Sequence, residues 1–544
     1  VRVWGALVAS LGLVAGLLSG LAGPAGALLT VSVTANTDAA LRGAFTTANT
    51  TADDVEIDIN VGSATIPLTG GELAYGGGIG GTHSLTVKGN GATVKQMTSG
   101  ARVFHSTSTN ASPLTLDGMT ITGGNLTSGL GPAVDSDTGI VISNSTVTGN
   151  TSTTDTILAN GSGDTTTLMN TMFTNNIITA SGGGACTGIV DTFVTNVMNS
   201  TFTNNACTST TGNADGVFNT TATTLTGSTV TGNHNTSTTG RANGIVDTGD
   251  LTMTGTLLQN NTNTATTGKA EGAVDSVATK ITGSAILGNT NSTTSGAADG
   301  TVFPTTLAMT TSTVAGNTNS SGTGSAVGGG IDVGNFDLSV TNSTVANNTN
   351  TGGSSSKGGG VFQDPAGVAS TAAGAGKQGG VKSGGVQASA TVSTTLVYVT
   401  VAGNSATTGA NIDATTLVSF GSVVALPQGG VNCVLTNATT SNGFNFSDDA
   451  TCGFTAATDK QNAGDPHLGA VANNGGPGPT RLPLPGSPLI DAIPVASCQA
   501  DGASGITTDE RGITRPQGAG CDIGAVEVQP GAPTALVITP RFTG

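Results

Sequence analysis

A chain of 544 residues with 85 Gly, 3% aromatic and 9% charged residues does not have the make-up of ordinary globular domains, which bury Phe, Tyr and Trp and expose Lys and Glu. With 36% hydrophobic residues, 18 Pro and a mean hydropathy of +0.11 it is not a disordered chain either. The net charge is −16, and between Arg102 and Lys377 the basic residues are Arg241, Lys269, Lys280 and Lys357, which excludes nucleic acid as a partner because phosphates need a basic patch.

At the start, Arg2, the apolar run from Val3 to Leu18 and the small-residue site Ala25-Gly26-Ala27 predict a signal peptide over 1–27, cleaved after Ala27. No later apolar stretch reaches spanning length, so no transmembrane segment is expected after cleavage, and the expected location is secreted or cell surface. The six Cys lack C-x-x-C spacing and, in an exported chain, are expected to form disulfides.

SLTVKGNGATVKQ from Ser84, RVFHSTST from Arg102 and SPLTLDGMTITGGN ending at Asn125 read as strands of early coils. A repeat then takes over. STVTGN at Ser145 to Asn150 recurs in variants ending at Asn176, Asn205, Asn233, Asn261, Asn289, Asn317, Asn348 and Asn404, and from Asn205 to Asn317 every step is 28 residues. Gly188, Gly216, Gly244, Gly272, Gly300 and Gly328 keep the same beat. Each repeat holds three short strand-like pieces such as TTLTGS, STVTGN and GRANGIVD, which predicts an all-β right-handed parallel β-helix with coils of about 28 residues. Alternation places Leu225, Val230 and Val246 inward and Thr224, Thr226, Thr229 and Thr231 outward. The column Asn205, Asn233, Asn261, Asn289 and Asn317 is expected to form an amide ladder at a turn, each side chain donating to the next coil.

The expected solenoid occupies 28–430, with a Gly/Ser-rich loop near 354–387, followed by a C-terminal region over 431–528 and a tail over 529–544. Within the C-terminal region, GDPHLGAVANNGGPGPTRLPLPGSPLIDA from Gly464, Cys498, DERGITRP from Asp509 and CDIGAVE from Cys521 resemble the choice-of-anchor Q family. That family comprises bacterial secreted or surface proteins in which a right-handed β-helix, similar to polymorphic outer membrane protein repeats, precedes such a signature and a variable anchor. The resemblance implies pairing of Cys433 with Cys452 and of Cys498 with Cys521. The residues after Glu527 depart from the pattern, showing neither an LPxTG-like motif nor a terminal apolar segment, so the anchor is missing, cut off or unnecessary. Cys186 and Cys207 are 21 apart, which leaves a bridge between them open. Asp509, Glu510, Arg511, Arg515, Asp522 and Glu527 are expected to tie loops together in a cap over the open end of the helix.

Three functions fit the scaffold. The first is a non-catalytic secreted or surface protein, adhesin-like or envelope-associated, with an unidentified extracellular partner of glycan or cell-surface type and no cofactor, metal or catalytic residue. The second is a polysaccharide lyase or hydrolase, for which the column Asp191, Asn219, Asp247, Asp275 is the best candidate. Asp247 and Asp275 on adjacent coils are expected to be a solvated turn, and Asp215, Asn243, Glu271 and Asp299 to be charge-paired by Arg241 and Lys269. Sugar-stacking aromatics are scarce: Trp4 is in the signal and the tyrosines are Tyr75 and Tyr398. The third is an ice- or crystal-surface binder through Thr146 with Thr148, Thr201 with Thr203 and Thr229 with Thr231, an array that decays to Leu257 with Gln259 and Ala285 with Leu287.

Overall fold

A computed structural model describes residues 28–109, 114–161, 163–181, 184–363, 392–500 and 502–529. The expected signal with its Ala27 cleavage site, most of the expected loop and the tail after residue 529 lie outside the described residues.

The chain winds into a parallel β-solenoid. One central coil runs Val246–Thr254, Leu257–Gln259, Thr262–Ala265 and Ala270–Glu271, and the next begins at Val274. Each strand pairs in parallel with its equivalent 28 residues on: Val246 with Val274, Leu257 with Ala285, Thr262 with Thr290, Ala270 with Ala298. The ladders stack into a broad 23-stranded sheet, a second of 14 strands, a third of nine and a fourth of four.

The central coils therefore carry four strands where three were expected. The missed third strand is the polar run after each ladder Asn, such as Thr262–Ala265, whose inward residues are Asn263 and the small Ala265. Hydrophobic alternation does not mark such a strand.

The corner from broad to second sheet is turned by Asn199, Gly227, Gly255 and Gly283 with φ near +55°, and the following corner by Asn204, Gly232, Asn260 and Gly288. Gly and Asn hold this left-handed geometry at little strain. At the second corner the left-handed residue is the one before the ladder Asn, so bending the chain and binding across coils fall to neighbouring residues.

Between the sheets runs one continuous core in which Leu225, Val230 and Val246 are fully buried. It also admits aromatics: Phe173 stacks on Phe202 at 5.0 Å, and Phe202 meets Phe218 edge-on at 4.6 Å. One end is closed by the helix Asp38–Asn49, capped by the Thr37 hydroxyl, which presents Leu41, Ala44, Phe45 and Ala48 to the core. The other end is closed by the bridged Cys433 and Cys452 together with Phe454.

The coils continue past residue 430, since Cys433–Leu435 pairs with Ile412–Ala414 and Phe446–Ser447 with Val423–Ala425. Ser355–Lys357 and Val361–Phe362 are regular strands of the coil, so this first part of the expected loop belongs to the solenoid, and the rest of it, from residue 364 on, lies outside the described residues.

Candidate functional site

Clustered polar groups occupy four places on this scaffold. The first is the corner after the second sheet, where Asn150, Asn176, Asn205, Asn233, Asn261, Asn289, Asn317, Asn348 and Asn404 stack in order, all at most 2% exposed. After Asn150, whose Oδ1 accepts from the Gly124 N–H, each Oδ1 accepts both the backbone N–H and the side-chain amide of the preceding Asn, and each Nδ2 also donates back to a carbonyl of the coil before; Asn261 donates in this way to Val230 at 2.9 Å and forward to Asn289 at 2.9 Å. Asn348 bonds directly to Asn404, so no coil intervenes in that 56-residue step. A second ladder lies two residues along, in which Asn235, Asn263, Asn291, Asn319 and Asn350 bond in series. The repeated N-x-N spacing was its signal in the sequence. Both ladders satisfy buried backbone groups at corners where strand pairing lapses.

The second place is a notch between the fourth and broad sheets. Glu271 and Asp275 flank the bend at Gly272, and their equivalents in neighbouring coils converge with them. Arg241 pairs with Glu271 at 2.9 Å and Lys269 with Asp299 at 3.4 Å, while Asn243 and Asn219 donate amides to Asp215 at 2.7 and 3.5 Å. Asp247 and Asp275, however, are not a solvated turn: both are 1% exposed, and none of their four carboxylate oxygens has a hydrogen-bond partner. The physical reason is the bend, which folds the outward faces of two strands toward each other so that their side chains exclude water. Burial, the largest influence, pushes Asp215 and Glu271 up to about 7. Among the described residues no group of three or more His, Cys, Asp or Glu is placed to hold a metal ion.

The third place is the C-terminal segment, and here the expected end cap is corrected. Residues 464–527 do not cover the open end; they run back along the outside of the second sheet. Ala525 bonds the Thr400 hydroxyl, Arg481 reaches Asn347, and the Glu510 carboxylate accepts from Thr313 at 2.6 Å and Thr344 at 2.5 Å. This accounts for the later part of the threonine array's decay, though not for Leu257 with Gln259, which stay half-exposed. Thr146 with Thr148, Thr201 with Thr203 and Thr229 with Thr231 remain on the open part of the sheet, whereas Thr313–Ala315, Thr344–Ala346 and Thr400–Ala402 lie buried beneath the segment, where small side chains permit close packing. Within the segment Arg511 pairs with Asp509 at 2.8 Å, Arg515 with Glu527 at 2.9 Å, and Asp522 accepts from the backbone of Asp491 and Val528. Cys498 is bonded to Cys521, and in the array Cys186 to Cys207. Tyr398 packs under Arg515 and is buried, as is Tyr75 near the other end, so neither tyrosine offers a sugar-stacking face.

Burial, against the two threonine hydroxyls, pushes Glu510 up to about 8. A carboxyl whose folded pKa lies above its unfolded value stabilises fully below the unfolded value and loses that contribution as pH rises through the folded one. Docking of the segment is therefore expected to weaken between about pH 4.5 and pH 8, with Asp522, pushed up by burial to about 7, adding to the trend. Cleavage of segment 464–527 by a broad protease should accelerate with pH over this range. In Glu510→Gln, which keeps an acceptor for one threonine, the slope should be shallower; an unchanged slope would place the sensitivity elsewhere.

The fourth place is an open groove of about 650 Å³ on the outer face of the broad sheet, bordered by Asp250, Lys280 and Asp337 with Thr252, Thr306 and Ser339 between them.

No family model and no curated protein matches the chain. One solved structure similar to it is tailspike protein 3 of bacteriophage CBA120, at 9% identity and a TM-score of 0.30. The similarity covers 75% of this chain and 59% of that one, so the chain spans less than two thirds of the tailspike's length. So distant a likeness carries no argument about activity.

Proposed function

We propose that this chain is a non-catalytic extracellular solenoid, adhesin-like or envelope-associated, whose outer face on the broad sheet binds a glycan or cell-surface ligand. The observation that carries the reading is the contrast between the two acidic surfaces. The clustered carboxylates at Asp247, Asp275 and Glu510 are sealed from solvent, whereas the open groove offers Lys280, two aspartates and a row of hydroxyls suited to hydrogen-bonding an extended polar chain. General acid–base work on a polymer needs carboxyls that reach it. The three disulfides and the signal-like start support an oxidising, extracellular location. The segment from Gly464 to Glu527 supports membership of the choice-of-anchor Q group, with the signature acting as a brace on the coils.

Binding of the purified protein to a glycan panel and to cells, combined with a search for released sugars, tests this. Binding without sugar release is expected, weakened about tenfold by Lys280→Ala with Asp250→Ala, which is about 1.4 kcal/mol. Release of unsaturated or reducing sugars, lost in the same variant, would make the groove a lyase or hydrolase site instead.

A further inference from the structure

We propose that Asp247 and Asp275 share a proton between neighbouring coils, making the centre of the solenoid proton-linked, tight in acid and looser as pH rises. The two residues sit in register on adjacent strands of the broad sheet, whose backbones are about 4.8 Å apart. Both are buried, and all four carboxylate oxygens lack a donor.

Every charged group facing the pair is already engaged. From the fourth sheet and its approach, Arg241 is on Glu271 and Lys269 on Asp299, while the coil before supplies Asp215, held by the amides of Asn219 and Asn243. The oxygens still without donors nearby are Asn219 Oδ1, Asn243 Oδ1 and Glu271 Oε2, so the notch is short of donors and holds no spare one. Two bare carboxylates in a dry notch are not tenable. The deficit is met by a proton or by a cation. A hard cation takes six or more oxygens converging on one point, whereas a shared proton needs one donor and one acceptor oxygen, as in paired aspartates elsewhere. The absence of any such convergent acidic group among the described residues favours the proton.

Electrostatics agrees in direction. Burial first, then the charges of Asp275, Asp215 and Glu271, hold Asp247 well above the ordinary carboxylate range; burial first, then Glu271 and Asp299 against Arg241, do the same for Asp275. The folded state therefore keeps protons that the unfolded chain releases, and stability falls as pH rises above the unfolded value of about 4.

The test compares the wild-type protein with Asp247→Asn/Asp275→Asn at about pH 5 and about pH 8.5, with EDTA and with added calcium. The expected result is a wild-type melting temperature lower at the alkaline pH, unaffected by calcium or EDTA, and a flatter dependence in the variant. Infrared difference spectra of the folded proteins at neutral pH should show a protonated-carboxyl stretch in the wild type that the variant lacks, which reads the proton even if the variant is weakly folded. Calcium-dependent stabilisation of the wild type that vanishes in the variant would replace the proton by a cation. Equal pH dependence in both proteins, with no difference band, would overturn the proposal.

Discussion

Asn261→Ala is expected to destabilise the solenoid by about 4 kcal/mol, far more than loss of a small surface amide. The substitution leaves the backbone N–H and side-chain amide of Asn233 without their acceptor and removes the donor that Val230 O and Asn289 Oδ1 share, all within buried structure. Each orphaned buried group costs about 1–3 kcal/mol, and Asn233, Asn261 and Asn289 are all buried. A net hydrogen-bond value of about 1 kcal/mol would apply only if the partners could be solvated. Because solenoid coils contact only their neighbours, the loss should appear as local opening. Amide exchange is therefore expected to accelerate in the coils holding Asn233 and Asn289, and to stay unchanged near the helix Asp38–Asn49. Thr229→Ala, at a half-exposed position of the coil before, is the control and should cost under about 0.5 kcal/mol. Equal melting of the two variants would mean that the ladder is decoration on a stack held by apolar contacts alone.

The coil period, the inward column and the first amide ladder were legible because each rests on a spacing that a single sequence carries. Asn205 to Asn317 in steps of 28 is a statement about register, and register in a parallel stack is structure. The third sheet carries the same 28-residue spacing but not the apolar alternation that marks a buried strand. Among its inward residues are Asn235, Asn263 and Asn291, whose burial is made tolerable by bonds to Ala214, Ala242 and Ala270 carbonyls that lie 21 residues away. Nothing in hydropathy distinguishes such an Asn from a solvated one.

The same blindness applied to Asp247 and Asp275. A column of like charges reads as surface, because burial of a carboxylate is costly and its compensation here depends on how sharply the chain bends at Gly244 and Gly272. Adding a Cβ at Gly272 would bring it within 2.6 Å of the Gly300 carbonyl, so the bend is set by backbone approach rather than by the residues that line the notch. For the C-terminal segment the sequence did hold a clue. The outward pair T-x-T becomes T-x-A at Thr313, Thr344 and Thr400, a change that makes sense only when something packs there. The charged residues of DERGITRP and CDIGAVE told that loops are tied together, and the direction in which the segment runs came from where Glu510 finds its two threonines.

Arg515→Met is expected to release that segment from the flank while the coils stay folded. The guanidinium is wholly buried; it donates to Glu527 at 2.9 Å and to the carbonyls of Asp522 and Gly524 at 3.0 and 2.7 Å, and lies 4.2 Å from the centre of the Tyr398 ring. Three of those contacts are internal to the segment, and Tyr398 belongs to the solenoid, so one side chain orders the loops and fixes them to the coils. Removing one partner of a buried pair costs about 3–5 kcal/mol, chiefly because Glu527 is left charged and dry. The apolar cluster of Phe420, Leu489, Ile493 and Ile523 then holds the segment without its polar frame. Limited proteolysis should cut within 464–527 and leave a resistant solenoid. Arg515→Lys keeps the charge but not the fork of donors, and should fall between the wild type and Arg515→Met. Adding Glu527→Gln to Arg515→Met removes the stranded charge and should restore part of the resistance. If the double variant is no better than Arg515→Met, the arginine acts through its carbonyl and aromatic contacts instead of through the ion pair.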